Sequence, residues 1–207
     1  MMRALGPWLS PFVRNEAGAA LVEFAIVAAL FFLLLFGVID FARLGFSAVW
    51  AEKATEQAVR MATVRPAVCP DVPRVNRRGL IGTLSIDIPN GTRCTDRSGL
   101  CHAPDTVSCT GSLDHPTSAA IWARVAPIMP HGTGPENLRF SYSYDPALNR
   151  VGAPYAPIVT VELTNVRFDF VSPLGGLARA AGGAGGRLGN SFAFASMSAS
   201  LPSETIH

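Results

Sequence analysis

The feature that most constrains this chain is an apolar run near its N-terminus, from Ala19 to Ile39. The run contains one charged residue, Glu23, and otherwise only Ala, Leu, Val, Ile, Phe and one Gly. A helix of about 20 such residues crosses the ~30 Å of hydrocarbon in a bilayer. The sequence therefore predicts one transmembrane helix, at residues 19–42.

Glu23 is out of place in such a helix. An acidic side chain at mid-bilayer is disfavoured by roughly 2.5–3.5 kcal/mol, and by less toward the bilayer edge. An ordinary anchor would carry leucine here. We therefore expect Glu23 to have a partner or a function, unless its side chain simply reaches the headgroups.

The helical pattern continues beyond the apolar run, as a predicted extension over residues 43–65. Apolar or small residues recur there at steps of three and four: Phe41, Leu44, Ala48, Ala51, Thr55, Ala58 and Ala62. Most are small, which favours close packing against a helix or a sheet. Glu56 and Arg60 are spaced for an ion pair. Pro66 ends the helix because residue 65 is disfavoured in helical geometry.

The remainder, residues 66–207, is predicted to be an exported domain with strands and one short helix. Leu138 to Asp145 alternates apolar and polar residues, as strands do. Ile158 to Phe170 also reads as a strand, but its phase slips, which predicts a bend near Thr164 and Asn165. Ser191 to Leu201 is a last strand whose phase also changes midway.

Two shorter elements complete the prediction. Thr117 to Ala126 reads as a helix with Ile121, Trp122 and Val125 on one face, and Leu84 to Ile88 as a short strand. The fold class is therefore α+β, with a transmembrane helix extended into a rod helix, a second short helix and a small, mostly antiparallel sheet.

All four cysteines lie in a Pro- and Gly-rich loop at residues 67–112: Cys69, Cys94, Cys101 and Cys109. An even number in a loop-rich exported region favours disulfides, and four cysteines allow three pairings. The sequence does not choose among these pairings. Free thiols or a zinc site are the alternatives, but no C-x-x-C is present and the histidines are irregularly spaced.

Composition and motifs argue against several functions. The 207 residues carry a formal net charge of +2 and no Lys/Arg block with interleaved aromatics, so nucleic-acid binding is not expected. No G-x-S-x-G or H-E-x-x-H motif is present. The Gly-rich loop at residues 175–189 lacks both phosphate-loop patterns and reads as a flexible connection. We predict no enzyme activity, no metal and no cofactor.

A family resemblance appears around the start of the apolar run. Gly18-Ala19-Ala20-Leu21-Val22-Glu23-Phe24 follows a short leader with Arg3 and Arg14 and precedes an unbroken apolar helix. This arrangement resembles the processing site of type IV pilin-like proteins. A wider set of segments resembles the TadE-like branch of tight-adherence (Flp) pilus assembly proteins; these segments are residues 15–18, 22–25 and 36–43.

The resemblance implies a specific processing step. A prepilin-type peptidase would cut between Gly18 and Ala19, remove residues 1–18 and leave Glu23 as the fifth residue of the mature chain. The new α-amino group on Ala19 would be positively charged near neutral pH, so that Glu23 of a neighbouring subunit can neutralise it within the membrane. Glu23 and Phe24 are the predicted assembly residues.

The resemblance also implies partners and a location. The partners are the lipid bilayer, other pilin-like subunits and the pilus assembly machinery. The chain would lie in the bacterial inner membrane as a single-pass protein with a cytoplasmic N-terminus and a periplasmic C-terminal domain, and could enter a surface pilus. The short leader without acidic residues before Glu16, and the cysteines beyond the helix, favour the same orientation.

The predicted function is therefore a pseudopilin-like component of tight-adherence pilus assembly or secretion. An uncut, anchored assembly factor would share these features. The alternative from another class is a membrane-tethered periplasmic binding module whose helix is only an anchor. Two further alternatives are a tethered hydrolase using His102, His115 or His131, and a secretory signal removed after Ala51.

Overall fold

The computed structural model describes residues 17–84, 87–170 and 191–204. The predicted leader at residues 1–18 lies outside the described residues except for its last two positions, and the Gly-rich loop at residues 175–189 lies outside them entirely. Among the described residues, 17–44 with 169–170 form one compact unit, and 45–168 with 191–204 form a second.

The first element is a single helix, α1, from Ala17 to Ala62. It joins the predicted transmembrane helix and its extension without a break, because Ala, Leu, Phe and Glu are compatible with helix throughout and no proline intervenes. The helix ends three residues before the predicted boundary at residue 65. It is long and apolar enough to cross a membrane by length and composition.

The second unit contains a four-stranded antiparallel sheet. The described strands of this unit, in the four-stranded sheet and in a separate pair, are β1 (Val107–Thr110), β2 (Leu138–Ser143), β3 (Ile158–Leu163), β4 (Arg167–Phe168), β5 (Phe192–Ala193) and β6 (Met197–Pro202). The sheet order is β1-β2-β3-β6, and β4 pairs with β5 separately. Phe140 lies opposite Cys109 on one side and Val161 on the other. The predicted α+β class is confirmed.

A short helix, α2 (Leu80–Leu84), precedes β1. The connection from β1 to β2 contains α3 (Pro116–Val125) and two 3-10 turns, Ala126–Ile128 and Pro135–Asn137. The predicted second helix corresponds to α3. It begins at Pro116, which suits the first helical turn because proline has no N–H to leave unpaired there. Ile121 and Val125 are fully buried, as their spacing predicts.

The core lies between one face of the sheet, α3 and the last three turns of α1. From α1 it takes Ala51, Ala54, Thr55, Ala58, Val59 and Ala62, all at most 1% exposed. They join a cluster with Phe140 and Tyr142 of β2. Small helix residues allow these rings to approach closely. The predicted stripe is confirmed from residue 51 to 62, whereas Phe41, its first member, is 66% exposed.

The predicted bend after β3 is confirmed. Val159, Val161 and Leu163 are buried, and so are Val166 and Phe168 after the change of phase. Asn165 lies between the two sets with φ of +58°, in the left-handed region that asparagine tolerates better than most residues. The chain therefore keeps its apolar residues inward by breaking the strand. The last predicted strand is likewise divided, into β5 and β6.

Two sequence predictions are wrong. None of the described residues of the short strand predicted at Leu84–Ile88 lies in a strand: Leu84 ends α2, Asp87 lies in a turn and Ile88 lies in no strand, while residues 85 and 86 are outside the described residues. An alternation over five residues is too short to exclude other structures.

The second prediction concerns the ion pair of Glu56, which forms with Lys53 at 2.9 Å and not with Arg60. The hydrogen bond and the charge of Lys53 lower the pKa of Glu56, and Arg60 adds a smaller effect.

Candidate processing and assembly site

The predicted scissile bond lies in the first turn of α1. Gly18 and Ala19 follow the first helical residue, and both are exposed. The first N–H groups of a helix have no intrahelical acceptor, and glycine is a poor helix former. The predicted scissile bond therefore lies at the first residues of α1 that the structure describes, where the residues on both sides of it are exposed.

Glu23 lies within the apolar run, at a depth that the helix rise determines. It precedes Asp40, the next charged residue, by 17 residues, which is ~25 Å of helix. Since the hydrocarbon is ~30 Å thick, a helix that leaves it at Asp40 holds Glu23 about 5 Å inside the opposite boundary.

Asp40 is buried, and Arg43 Nη1 lies 3.2 Å from its Oδ1. The two residues therefore form an ion pair within one turn of α1. Such an ion pair suits the end of a membrane span, because the arginine side chain can extend toward water while its charge stays next to that of the aspartate.

The surroundings of Glu23 on α1 are apolar and exposed. Val22 is 61% exposed and Phe24 is 71% exposed, so these side chains are not packed in a protein core. Among the described residues, no hydrogen bond or ion pair reaches the Glu23 carboxylate. The nearest cation on α1 is Arg43, 20 residues further along, or ~30 Å away. The described part of the chain therefore supplies no partner for Glu23.

The four cysteines form two disulfides, Cys69–Cys109 and Cys94–Cys101. The predicted disulfides are confirmed, and the structure supplies the pairing that the sequence left open. The first bond joins the segment after α1 to β1, and the second closes a small lobe with Leu100 and Val151 in its interior. Within the described ranges, no group of His, Cys, Asp or Glu side chains is suited to a metal ion.

The three histidines among the described residues of the domain lie in different places. His102 borders a cleft of about 490 Å³ with Arg74 and Tyr155. His131 borders a groove of about 370 Å³ that Phe46 and Trp50 also line. His115 precedes the first turn of α3. The histidines therefore do not combine into one constellation.

Sequence reasoning missed two polar anchors of the domain. The Tyr142 hydroxyl accepts a hydrogen bond from the Val68 N–H at 2.9 Å, which ties the chain after α1 to β2. The Asn149 side chain is fully buried and accepts from Asn76 Nδ2 and from the Ala156 N–H, both at 2.8 Å. A single asparagine or tyrosine carries no spacing signal, so no sequence pattern could have found them.

These features define a class of protein: a helix able to span a membrane, followed by a disulfide-bonded α+β domain. Residues 18–60 match the family model described as TadE-like protein, which confirms the resemblance over this segment. The match begins at Gly18, beside the predicted scissile bond, and ends within the buried part of α1. No curated protein and no solved structure matches the chain. The TadE-like family implies a role in Tad pilus assembly, and its pilus components are structural proteins.

Proposed function

We propose that the chain is a pseudopilin-like component of tight-adherence pilus assembly. It is made as a precursor, cut between Gly18 and Ala19, and packed through its apolar helix against other pilin-like subunits. Its partners are these subunits, the assembly machinery and a prepilin-type peptidase. The TadE-like match of residues 18–60 supports the pilus role at the level of the family.

The observation that carries the proposal is the position of Glu23. A carboxylate about 5 Å inside hydrocarbon, with no partner among the described residues, is unfavourable in a lone helix. Cleavage at Gly18 creates a second unfavourable charge, the α-amino group of Ala19, whose ordinary pKa is about 7.7–8.0. Bringing the two together replaces two unsatisfied charges by one ion pair.

The pair forms between subunits. Ala19 becomes the first residue of the helix, and its own Glu23 lies one turn further on. To reach that amine, the side chain would have to fold back across the first turn, where free backbone N–H groups compete for it. A neighbouring helix in register presents its carboxylate from the side. The pair then acts as a signal for correct register more than as a source of stability.

The proposed location follows from the same elements. The leader lies in the cytoplasm, residues 19–42 cross the inner membrane, and the disulfide-bonded domain over residues 66–207 lies in the periplasm. Disulfides persist in such an oxidising compartment.

The experiment compares pilus incorporation of Glu23→Gln, Glu23→Leu and Glu23→Asp with Glu52→Gln as the matched control. Glu52 is an exposed acid on the same helix, beyond the apolar run. We expect the Gln and Leu variants to insert into the membrane but to fall at least about tenfold in the sheared pilus fraction, because they remove a charged pair. The Asp variant should lie between them and wild type.

Two results would redirect the assignment. Wild-type incorporation of Glu23→Leu would contradict the ion pair and favour the tethered binding module. A Glu23 effect on assembly without any cleavage at Gly18 would favour an uncut, anchored assembly factor, because the amine would then be missing.

A further inference from the structure

The lobe closed by Cys94–Cys101 holds two arginines side by side. Arg93 and Arg150 are directly opposite each other in an isolated antiparallel bridge. The flanking backbone bonds run from the Val151 N–H to the Thr92 carbonyl at 2.9 Å and from the Cys94 N–H to the Asn149 carbonyl at 3.1 Å.

This pattern makes Arg93 and Arg150 a non-hydrogen-bonded pair. In such a pair the Cα atoms are ~4.5 Å apart and the side chains are closer than in the alternate type. Like charges directly opposite in this geometry repel each other. The position is therefore unfavourable for two arginines unless something negative lies between or above them.

Among the described residues, the counter-charge at this position is incomplete. Arg150 Nη1 donates to the Gly91 carbonyl at 3.2 Å, which orients the guanidinium but leaves its charge uncompensated. Among the described residues neither arginine has an ion pair. Asp96 borders the same cleft without pairing with either of them.

The cleft is open and built on a constrained backbone. Its volume is about 530 Å³, and its walls are Pro89, Asn90, Gly91, Thr92, Arg93, Asp96 and Arg150. The Cys94–Cys101 disulfide lies next to Arg93, and Val151, fully buried, lies next to Arg150. The two guanidinium groups are therefore attached to fixed points while their ends remain accessible.

We propose that the Arg93–Arg150 cleft binds a phosphate-type oxyanion. Each guanidinium offers a planar fork of N–H donors that matches two oxygens of a tetrahedral anion. Asp96 at the rim leaves the cleft with a net charge of one positive unit, and the two guanidinium forks together can bind more oxygens than a single carboxylate offers. The source is a soluble phosphate compound or the phosphate of a lipid headgroup. The site is separate from Glu23 and does not depend on the assembly function.

The test titrates inorganic phosphate into the full-length chain in maltoside micelles, whose headgroups carry no phosphate. Backbone amide signals of residues 92–94 and 150–151 are followed by NMR, with chloride at matched ionic strength as the reference. We expect saturable shifts with phosphate and none with chloride.

Arg93→Gln and Arg150→Gln should weaken phosphate binding at least about tenfold. Arg93→Lys should also weaken it, because the charge remains but the fork is lost. Arg124→Gln, an exposed arginine on α3, should bind phosphate as wild type does.

A stability measurement separates binding from a structural role. In phosphate-free buffer, Arg93→Gln should raise the thermal midpoint or leave it unchanged, because it removes a repulsion. A lowered midpoint with an unaltered response to phosphate would overturn the proposal, and so would equal, non-saturating shifts with phosphate and chloride.

Nanodiscs then identify the source of the phosphate group. Shifts of the same amides with phosphatidylglycerol but not phosphatidylcholine indicate a lipid headgroup, and shifts with inorganic phosphate alone indicate a soluble ligand.

Discussion

Two stretches of the same helix show how differently one secondary structure is stabilised. The apolar segment, residues 18–39, carries large side chains that stay exposed, such as Leu21 at 72% and Val38 at 68%. The packed segment, residues 51–62, carries small side chains such as Ala54 and Ala58, which are fully buried. The first stretch is suited to lipid and the second to close contact with a sheet. Large apolar residues on a helix therefore do not by themselves indicate the protein core.

This contrast explains a difference in polar residues. In the packed segment, the buried Thr55 hydroxyl donates to the Glu52 carbonyl at 2.8 Å, so its burial leaves no unpaired group. In the apolar segment, Glu23 has no such local partner among the described residues. The Thr55 hydroxyl is thus satisfied within its own helix, whereas we propose that Glu23 is satisfied by a second chain.

The contrast is tested most strongly by removing one ring from each environment. Phe140→Ala in β2 should lower the free energy of unfolding of the domain by about 3–5 kcal/mol, because it empties the centre of the core. Phe32→Ala in the apolar segment, where Phe32 is 49% exposed, should leave domain unfolding unchanged. Denaturant titration followed by near-UV circular dichroism measures both. Equal losses would mean that the apolar segment contributes to the domain core.

The two disulfides should differ in their effect on the domain. Replacing Cys69 and Cys109 together by serine opens a loop of 40 residues, and replacing Cys94 and Cys101 opens one of 7. Chain entropy gives losses of about 4 and about 2 kcal/mol. Denaturant midpoints of the two double variants measure the difference. A larger loss from the shorter loop would mean that the small lobe supports the whole domain. Neither variant should affect membrane insertion of the apolar segment.

High pH should affect the domain and not the apolar segment, because all three tyrosines lie in the domain. Burial, with a smaller effect of Tyr144, raises the pKa of Tyr155 to about 12, and burial also raises the pKa values of Tyr142 and Tyr144. The folded state therefore keeps the phenols protonated while the unfolded state ionises from about pH 10. Stability should be complete below pH 10 and fall between pH 10 and about 12.

Phenolate absorbance near 295 nm measures this effect. The folded chain should show little phenolate at pH 10.5, and denaturant at that pH should release it. Full ionisation of the folded protein near pH 10 would contradict the burial of Tyr142 and Tyr155.

The helix, the main strands and the bend at Asn165 could be predicted from the sequence. Each depends on a local repeat of apolar residues, which the burial of one face of the element requires. The phase slip between Val161 and Val166 left no other way to keep both ends of the strand inward. The sequence did not give the disulfide pairing or the Arg93–Arg150 juxtaposition, since both depend on which distant segments meet. It also missed the Tyr142 and Asn149 anchors, because a single side chain has no period. Spacing alone also did not show whether Glu56 pairs with Lys53 or with Arg60.

For the predicted site, the residues could be identified from the sequence, and the structure adds a continuous helix and the absence of a partner for Glu23 among the described residues. Gly18, Ala19 and Glu23 are marked by their order along the chain. The distance from Glu23 to Asp40 follows once α1 is continuous. The partner that we propose for Glu23 belongs to a second chain, so the order of residues in one chain does not show it.

The most direct test of the central claim is the N-terminal residue of the chain extracted from membranes, determined by sequencing or intact mass. The account predicts a chain that begins at Ala19, with the Gly18–Ala19 bond cut before assembly. A chain that still begins at Met1 and nevertheless enters the pilus would contradict it, because Glu23 would then have no new amine to meet.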